Sequence, residues 1–240
     1  MKKPSKQRRS TCASIVSLLA IVAAGSASAA SMGSSAQSAS ARIEPYLMAS
    51  KQQEIALARS AAPPSVSMHA TVMVLTAHGY VTAVKGSNGF VCIVTRSWDN
   101  AATVKSARFW NPKISVADCL NAPGAHSMLA EYLMKTQWAV AGASEAEIGE
   151  RIKAARSAGK MEASTAGAIA YMMSKQSWGV GGNPGAWRPH LMFYFPNAQA
   201  PNWGANIDGT PVSSGAADDN TTVYNVLVPV WSDGSPAPSF

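Results

Sequence analysis

The sequence predicts an α+β fold: a single domain with a mainly antiparallel sheet of about five strands and helices packed on one face. Residues 65–98 contain three short runs rich in Val, Ile, Thr and aromatic side chains, which is typical of strands. Residues 123–175 contain apolar side chains at helical spacing. The roughly 200 residues beyond the N-terminal leader can bury one sizeable core, so we place a single globular domain over residues 43–231.

The strand-rich stretch predicts a three-stranded antiparallel meander. Its runs cover residues 68–76, 80–85 and 90–96, and turn-forming residues separate them. Asn88-Gly89 favours a tight hairpin between the second and third runs. In the third run both the odd and the even positions are largely apolar, which predicts a strand covered on both faces.

The N-terminus has the pattern of a bacterial export signal. Five basic residues precede the apolar run 13–24, and Ala27-Ser28-Ala29 has the small side chains of a cleavage site. We therefore expect a signal peptide over residues 1–29, cleavage after Ala29, and a periplasmic or extracellular protein. Arg8-Arg9 also suggests the twin-arginine route, but polar Ser10-Thr11 follows, so the general secretory route is favoured.

The charge of the mature chain argues against two classes of partner. Residues 1–29 hold five of the 20 basic residues and none of the 13 acidic ones, so removing them leaves 15 against 13, a formal charge of +2. This near-neutral domain gives no electrostatic reason to bind nucleic acid or anionic membranes. No apolar segment reaches the roughly 20 residues that span a bilayer, so we expect no stable membrane insertion after signal cleavage.

Two cysteines remain after signal removal, Cys92 and Cys119. In an oxidising compartment an even pair is a candidate disulfide. The alternative is two buried thiols on apolar faces, because sequence alone does not give the distance between the Cα atoms.

Helices are predicted on both sides of the meander. Residues 30–42 are small and polar and form a disordered leader, and 43–60 form the first helix. After a packed loop over 99–122, helices follow at 123–136, at 145–158 and at 164–175. Ser144 and Glu147 form a capping box, Ile148, Ile152 and Ala155 form the buried stripe, and Gly159 ends that helix. Met172 and Met173 are assigned to the core.

The C-terminal third is predicted to be mostly irregular. A Gly-rich loop covers 179–185, strands follow at 191–195 and 221–230, and a long loop covers 196–220. Pro229 places the last strand at an edge or at its own end. Residues 232–240 are predicted to be a flexible tail.

Familiar catalytic and cofactor motifs do not fit. The glycines of 179–185 lack the G-x-G-x-x-G spacing, so no nucleotide site is indicated. Residues 157–160 match S-x-x-K, but at a helix end and without a following K-T-G. The four histidines, His69, His78, His126 and His190, lack the short paired spacing of metal ligands. We therefore predict no metal and no cofactor.

Two aromatic loops form the candidate ligand-binding surface. Loops of this length often carry function, and these contain Trp187, Arg188, His190, Trp203, Asn206 and Asp208. Arg188 can fix a carboxylate or phosphate, His190 can transfer a proton, and a tryptophan can stack on a ring or sugar. The structural alternative is that the tryptophans plug the ends of the sheet and that Arg188 pairs with Asp208.

Several peptides together resemble a group of exported bacterial proteins to which no function is assigned. They are EIALARSAAPPSVS (54–67), NGFVCIVTRSW (88–98), FWNPKI (109–114), YMMSKQ (171–176), RPHLMFYFP (188–196) and WGAN (203–206). The resemblance covers roughly residues 54–233. It implies an intact single domain with an export signal, and it supplies no catalytic residue.

Three functions remain open. The first is a non-enzymatic exported domain that binds a small molecule or an envelope component through the two aromatic loops. The second is a secreted protein-interaction domain that uses a sheet edge or an apolar face. The third is a hydrolase-type enzyme with His190 or His78 as base and Arg188 stabilising an anionic centre.

Overall fold

A mixed sheet of eight strands organises the chain, in the order β2-β1-β3-β4-β5-β6-β8-β7. The computed structural model describes residues 42–100, 109–179, 187–218 and 220–238, so the predicted signal peptide lies outside the described residues. The strands are β1 Thr71–Thr76, β2 Gly79–Val84, β3 Val91–Arg96, β4 Ser115–Leu120, β5 Ala168–Met172, β6 His190–Pro196, β7 Val212–Asp218 and β8 Thr221–Leu227. The predicted α+β class is correct, but the predicted five antiparallel strands are too few, and β1 and β3 are parallel.

Helices cover both faces of the sheet. They are α1 Lys51–Arg59, α2 Pro64–Ser67, α3 Ala122–Gly124, α4 Ala130–Val140 and α5 Glu145–Ser157, with a π-helical segment, Ala125–Leu129, between α3 and α4. Leu57 of α1 packs with Cys92 and Val94 of β3. Tyr132 of α4 and Ile148 of α5 pack with Ile93 of β3, on the other face. We call these two sides the α1 face and the α4 face. The prediction of helices on one face is therefore wrong. The prediction that the third run, now β3, is covered on both faces is confirmed.

The first three strands do not form the predicted meander. β1 and β2 form an antiparallel hairpin, and β3 then lies on the other side of β1, parallel to it. Residues 85–90 cross the start of β1, where Ser87 N–H donates to the His69 carbonyl at 2.8 Å. A Cβ on Gly86 would lie 2.1 Å from the Thr71 nitrogen, so the crossover requires glycine there. Asn88-Gly89 therefore belongs to a crossover rather than to a hairpin.

Three strands occupy segments that were predicted otherwise. β4 lies in the predicted packed loop 99–122, and β7 lies in the predicted irregular stretch 196–220. β5 replaces a predicted helix at 164–175, and its residues alternate between buried and half-buried. Ala168 and Ala170 of β5 are fully buried beneath the helices, so packing overrides the helical preference of alanine.

Other elements agree with the sequence. Ser144 and Glu147 form the capping box of α5, whose buried residues are Ile148, Ile152 and Ala155, and Gly159 follows with φ +65°. β6 and β8 correspond to the two predicted C-terminal strands, and Pro229 lies beyond the end of β8. The predicted first helix is divided into a 3-10 turn, Glu44–Tyr46, and α1.

The end of the described chain is held to the sheet. Ser232 N–H donates to the Met173 carbonyl at 3.1 Å, and Lys175 forms an ion pair with Asp233 at 2.9 Å. Val230 and Pro236 form an isolated bridge. These contacts hold residues 232–238 against the rest of the chain, and the flexibility predicted for residues 232–240 stays a prediction.

Cys92 and Cys119 form a disulfide between neighbouring strands. Their sulfur atoms are 2.01 Å apart, and the two residues are direct partners in the β3–β4 register. Both are fully buried on the α1 face. Of the two alternatives that the sequence left open, the structure shows the disulfide.

Candidate functional site

The first half of the predicted aromatic surface lies at the start of β6. The rings of Trp187 and His190 are 5.1 Å apart, and Trp187 packs against the small apolar cluster that includes Met172. His190 Nδ1 is 2.8 Å from the Arg188 carbonyl, and burial lowers the pKa of His190. Arg188 donates to the Pro238 carbonyl at 3.1 Å. These contacts hold the C-terminal segment against the start of β6.

The second half packs against another part of the sheet. The Trp203 ring lies 5.3 Å from Phe193, 5.4 Å from Phe195 and 5.0 Å from Tyr224. Asn206 has a positive φ of 61°, and its side chain exchanges hydrogen bonds with Ser214 of β7. These contacts fit the structural alternative, in which the aromatic ring covers part of the sheet.

The structure does not bring the two halves together. Along β6, His190 and Met192 alternate with Phe193 and Phe195, and successive side chains of a strand point to opposite faces. The Trp187 group therefore lies on the α4 face and Trp203 on the α1 face. Asp208 is exposed in the loop before β7. A role of these six residues in ligand binding stays a prediction, but they do not form one surface.

A cavity of about 140 Å³ lies between the sheet and the helical segment that ends in α4. We call it the carboxyl pocket. Strands β5 to β8 form its floor, and the π-helical segment and α4 form its roof. Its lining residues are Asp99, Met128, Glu131, Tyr132, Lys135, Met172, Met192, Tyr194, Ala216, Ala217 and Val223. Met172, assigned to the core from sequence, lines this cavity.

Asp99 lines the carboxyl pocket and has one buried carboxylate oxygen without a partner among the described residues. The residue follows β3 in a 3-10 turn and is 5 % exposed. Its Oδ2 accepts the Arg96 N–H at 2.7 Å, whereas Oδ1 has no hydrogen-bond partner within the described part of the chain. Burial raises the pKa of Asp99 to about 7, against the opposing effects of that hydrogen bond and of Lys135.

A second buried carboxyl, Asp118, adjoins the pocket through two tyrosines. Tyr132 donates from its hydroxyl to Asp118 Oδ2 at 3.3 Å, and Asp118 Oδ1 has no partner among the described residues. Burial and, to a smaller extent, the charge of Asp99 raise the pKa of Asp118 to about 7, against the opposing effect of the hydrogen bond from Tyr132. The pKa values of Tyr132 and Tyr194 are also raised, mainly by burial, so both hydroxyls keep their protons.

Charged side chains at the carboxyl pocket form ion pairs with one another. Lys135 Nζ binds Glu131 Oε1 at 2.5 Å and the Asp99 carbonyl at 2.9 Å. Arg156 of α5 binds Glu131 at 2.9 Å and Asp218 of β7 at 3.4 Å. Burial acts to raise the pKa of Glu131, but Lys135 and Arg156 hold it below its usual range. The lysine and the arginine are thus already engaged by carboxylates.

Sequence analysis missed this pocket, although β4 contains a signal for it. Val116, Asp118 and Leu120 alternate onto the α4 face, so a carboxyl group replaces an apolar side chain at a position that faces the core. A charge at such a position indicates either an ion pair or a functional group. The pattern becomes visible only once 115–120 is recognised as a strand.

A wider cleft of about 460 Å³ lies beside Trp110 and is lined by Arg42, Pro45, Tyr46 and Pro112. Arg42 lies 5.7 Å from the Trp110 ring centre. We favour the smaller carboxyl pocket because it contains a buried carboxylate oxygen without a partner.

Within the described ranges, no group of three or more His, Cys, Asp or Glu is arranged to hold a metal ion. None of the helices in those ranges is both long enough and apolar enough to cross a membrane. The chain matches no known family model, and comparisons with curated proteins and with solved structures find no match either. The site must therefore be interpreted from its own chemistry.

Proposed function

We propose that this chain is an exported, non-enzymatic binding domain that holds a small molecule in the carboxyl pocket. The observation that carries the proposal is Asp99, a residue of the cavity lining whose buried carboxylate oxygen Oδ1 has no partner in the described structure. A buried polar atom without a hydrogen bond costs about 1–3 kcal/mol, which a ligand donor would recover.

The walls suit an organic ligand of modest size. A cavity of about 150 Å³ can hold a molecule such as benzene, and the carboxyl pocket has about 140 Å³. Met128, Met172 and Met192 give it flexible, polarisable sides that adapt to the shape of a ligand. Asp99 would orient the ligand, as a few polar groups do in most small-molecule sites.

The test is NMR of the folded mature protein with labelled methionine methyl groups and labelled tryptophan indoles. A mixture of neutral and charged benzene-sized molecules should shift the methyl signals of Met128, Met172 and Met192. Met68, which is 57 % exposed and remote from the lining, is the internal control. Shifts confined to the indole signals of Trp187 and Trp203 would instead favour the aromatic loops and contradict the proposal.

Export is part of this proposal and has its own test. It is supported by the N-terminal signal pattern and is compatible with a disulfide, which persists in oxidising compartments. Cell fractionation and N-terminal sequencing should give an exported chain that begins at Ala30. A chain that retains Met1 in the cytoplasm would contradict it.

A protein-interaction domain is the second candidate, favoured by the α1 face of the C-terminal half. There Leu191, Phe193 and Phe195 are only half-buried, Trp203 is 39 % exposed and Ile207 is 63 % exposed. Apolar surface of this kind often contacts another chain. Light scattering of wild type and of Ile207→Ser tests it, because self-association through this face should weaken in the variant.

The hydrolase alternative receives little support from the geometry. The Arg188 carbonyl orients the His190 ring, and burial lowers the pKa of His190 and so favours the neutral form that a base requires. Among the described residues, however, no side chain hydrogen-bonds to the ring of His190 or of His78, so neither ring has a nucleophile or an acid to work with.

A further inference from the structure

Resting on the proposed function, we infer that the carboxyl pocket selects a small organic cation, a protonated amine carried on an apolar body. The selecting groups are Asp99, which lines the pocket, and Asp118, which adjoins it through Tyr132. Each is buried and has one carboxylate oxygen without a partner among the described residues. The apolar body would lie against the methionines and tyrosines of the lining.

The charges around the pocket favour a cation. The carboxyl groups are Asp99, Asp118, Glu131 and Asp218, whereas the basic groups are Lys135 and Arg156. The Arg96 guanidinium, beside Asp99, is engaged by Glu54 at 2.9 Å. If all four carboxyls were ionised, two negative charges would remain uncompensated within a buried region. One ammonium would offset one of them directly.

The protein's own ammonium group cannot serve both aspartates. Lys135 Nζ is held by Glu131 Oε1 and by the Asp99 carbonyl, and the Asp99 side chain uses only Oδ2. Asp118 is held in the same way: its Oδ2 accepts a hydrogen bond from the Tyr132 hydroxyl, and its Oδ1 has no hydrogen-bond partner within the described ranges. Each carboxylate is thus fixed through one oxygen and leaves the other for a donor. That arrangement suits an N–H donor that carries positive charge, which forms the stronger hydrogen bonds.

The aromatic lining suits the same ligand. Tyr132 and Tyr194 present ring surface to the cavity, and the face of an aromatic ring attracts cations. An anion would instead meet two buried carboxyls. A neutral molecule would fill the volume but leave the carboxyl charges uncompensated.

Cation binding must also release protons. Near pH 7 the two aspartates are each partly protonated, since burial raises the pKa of each to about 7. An ammonium beside them lowers those pKa values, so protons leave as the cation enters. A neutral ligand would not drive this release. The other groups that face the aspartates are Glu131, Lys135, Tyr132, Arg156, Asp218, Tyr194 and Arg96.

The experiment compares benzylamine, benzyl alcohol and benzoate by calorimetry at pH 7 in two buffers of different ionisation enthalpy, with methionine methyl NMR to locate each probe. Benzylamine should bind at least about tenfold more tightly than benzyl alcohol and should release protons. Asp99→Asn and Asp118→Asn should each weaken benzylamine about tenfold and reduce the proton release. Asp233→Asn, a matched change at an exposed aspartate outside the pocket lining, should alter neither.

The outcomes separate this inference from the proposed function. If benzyl alcohol shifts the same methionines with equal affinity and no proton release, the cation inference is overturned while a small-molecule site remains. If sodium or potassium chloride displaces benzylamine at millimolar concentration, the site takes an inorganic ion and the organic part is overturned. If no probe shifts the pocket methionines, both proposals fail. If an aspartate variant does not fold, proton release measured on wild type in the two buffers still tests the cation inference.

Discussion

Glu54 and Arg96 form a buried ion pair that ties α1 to the sheet. Glu54 Oε1 accepts from the Arg96 guanidinium at 2.9 Å and from the Leu75 N–H at 3.0 Å. Arg96 also donates from Nε to the Tyr46 carbonyl at 3.0 Å. One carboxylate oxygen thus joins a helix to two strands inside the core.

We expect Glu54→Ala to destabilise the fold by about 3–5 kcal/mol, because it leaves the Arg96 charge buried without a carboxylate. Adding Arg96→Met should recover part of the loss, since no unpaired charge then remains. Urea unfolding followed by tryptophan fluorescence measures both. Glu150→Ala, which breaks an exposed pair with Lys153, is the control and should cost less than about 1 kcal/mol. A similar loss in both single variants would contradict the prediction.

Stability should fall as pH rises from about 4 to about 7. Burial raises the folded-state pKa of Asp99 and Asp118 to about 7, above the ordinary value of 3.8. Between these values the folded protein binds more protons than the unfolded chain, so the free energy of unfolding falls with rising pH. His190 acts in the opposite direction, because its lowered pKa weakens the fold at acid pH.

Removing the two carboxyls isolates their contribution. Between pH 7 and pH 5.5 the free energy of unfolding, measured with urea, should rise more in wild type than in the double variant Asp99→Asn/Asp118→Asn. The difference between the two rises should be on the order of a few kcal/mol. Parallel pH curves for wild type and the double variant would show that the buried aspartates do not titrate differently on folding.

The disulfide should resist reduction until the protein unfolds. Cys92 and Cys119 are fully buried, so a reductant reaches them only in the unfolded chain. Mass spectrometry should show no added protons with reductant in native buffer and two added protons in urea. The double variant Cys92→Ala/Cys119→Ala should lose about 2–4 kcal/mol of stability. Rapid reduction in native buffer would contradict the burial of this bond.

Gly86→Ala should disrupt the crossover beside β1. The added Cβ would lie 2.1 Å from the Thr71 nitrogen and 2.3 Å from the Ala70 carbonyl carbon, which are backbone atoms that cannot rotate away. We expect a loss of at least about 2 kcal/mol by urea unfolding. Gly149→Ala is the matched control, because its Cβ meets open space in α5 and alanine should add about 0.5–1 kcal/mol. Equal stability of the two variants would exclude the close approach.

The elements that the sequence predicts well are those with local chemical signals. The Ser144 capping box and the apolar stripe after it are contained within one helix, so no distant residue alters them. β6 is likewise predicted from its own residues, because aromatic side chains favour strands. The Cys92–Cys119 bond was predictable only as an alternative, because its geometry depends on the pairing of β3 with β4.

The remaining elements depend on partners distant in sequence. The alanines of β5 favour a helix, but the close approach of helices over the sheet requires small side chains there. β7 is rich in serine, glycine and alanine and becomes a strand by pairing with β8. The predicted aromatic surface was wrong as a single surface for a related reason. Side chains of β6 alternate between the two faces of the sheet, so Trp187 and Trp203 pack on opposite faces. Predicting this requires the first residue of β6 and its pairing register, which the sequence does not give.

The order of β6, β8 and β7 affects how the chain completes its fold during synthesis. Among the described residues, β7 joins the sheet only through β8, the last strand that the structure describes, which pairs with β6 on its other side. A chain truncated before Thr221 would therefore leave β6 with an open, aromatic-rich edge and β7 with no neighbour. Such edges template pairing between molecules. We expect the truncated chain to aggregate, and the nascent chain to stay incompletely folded until its final strand has emerged.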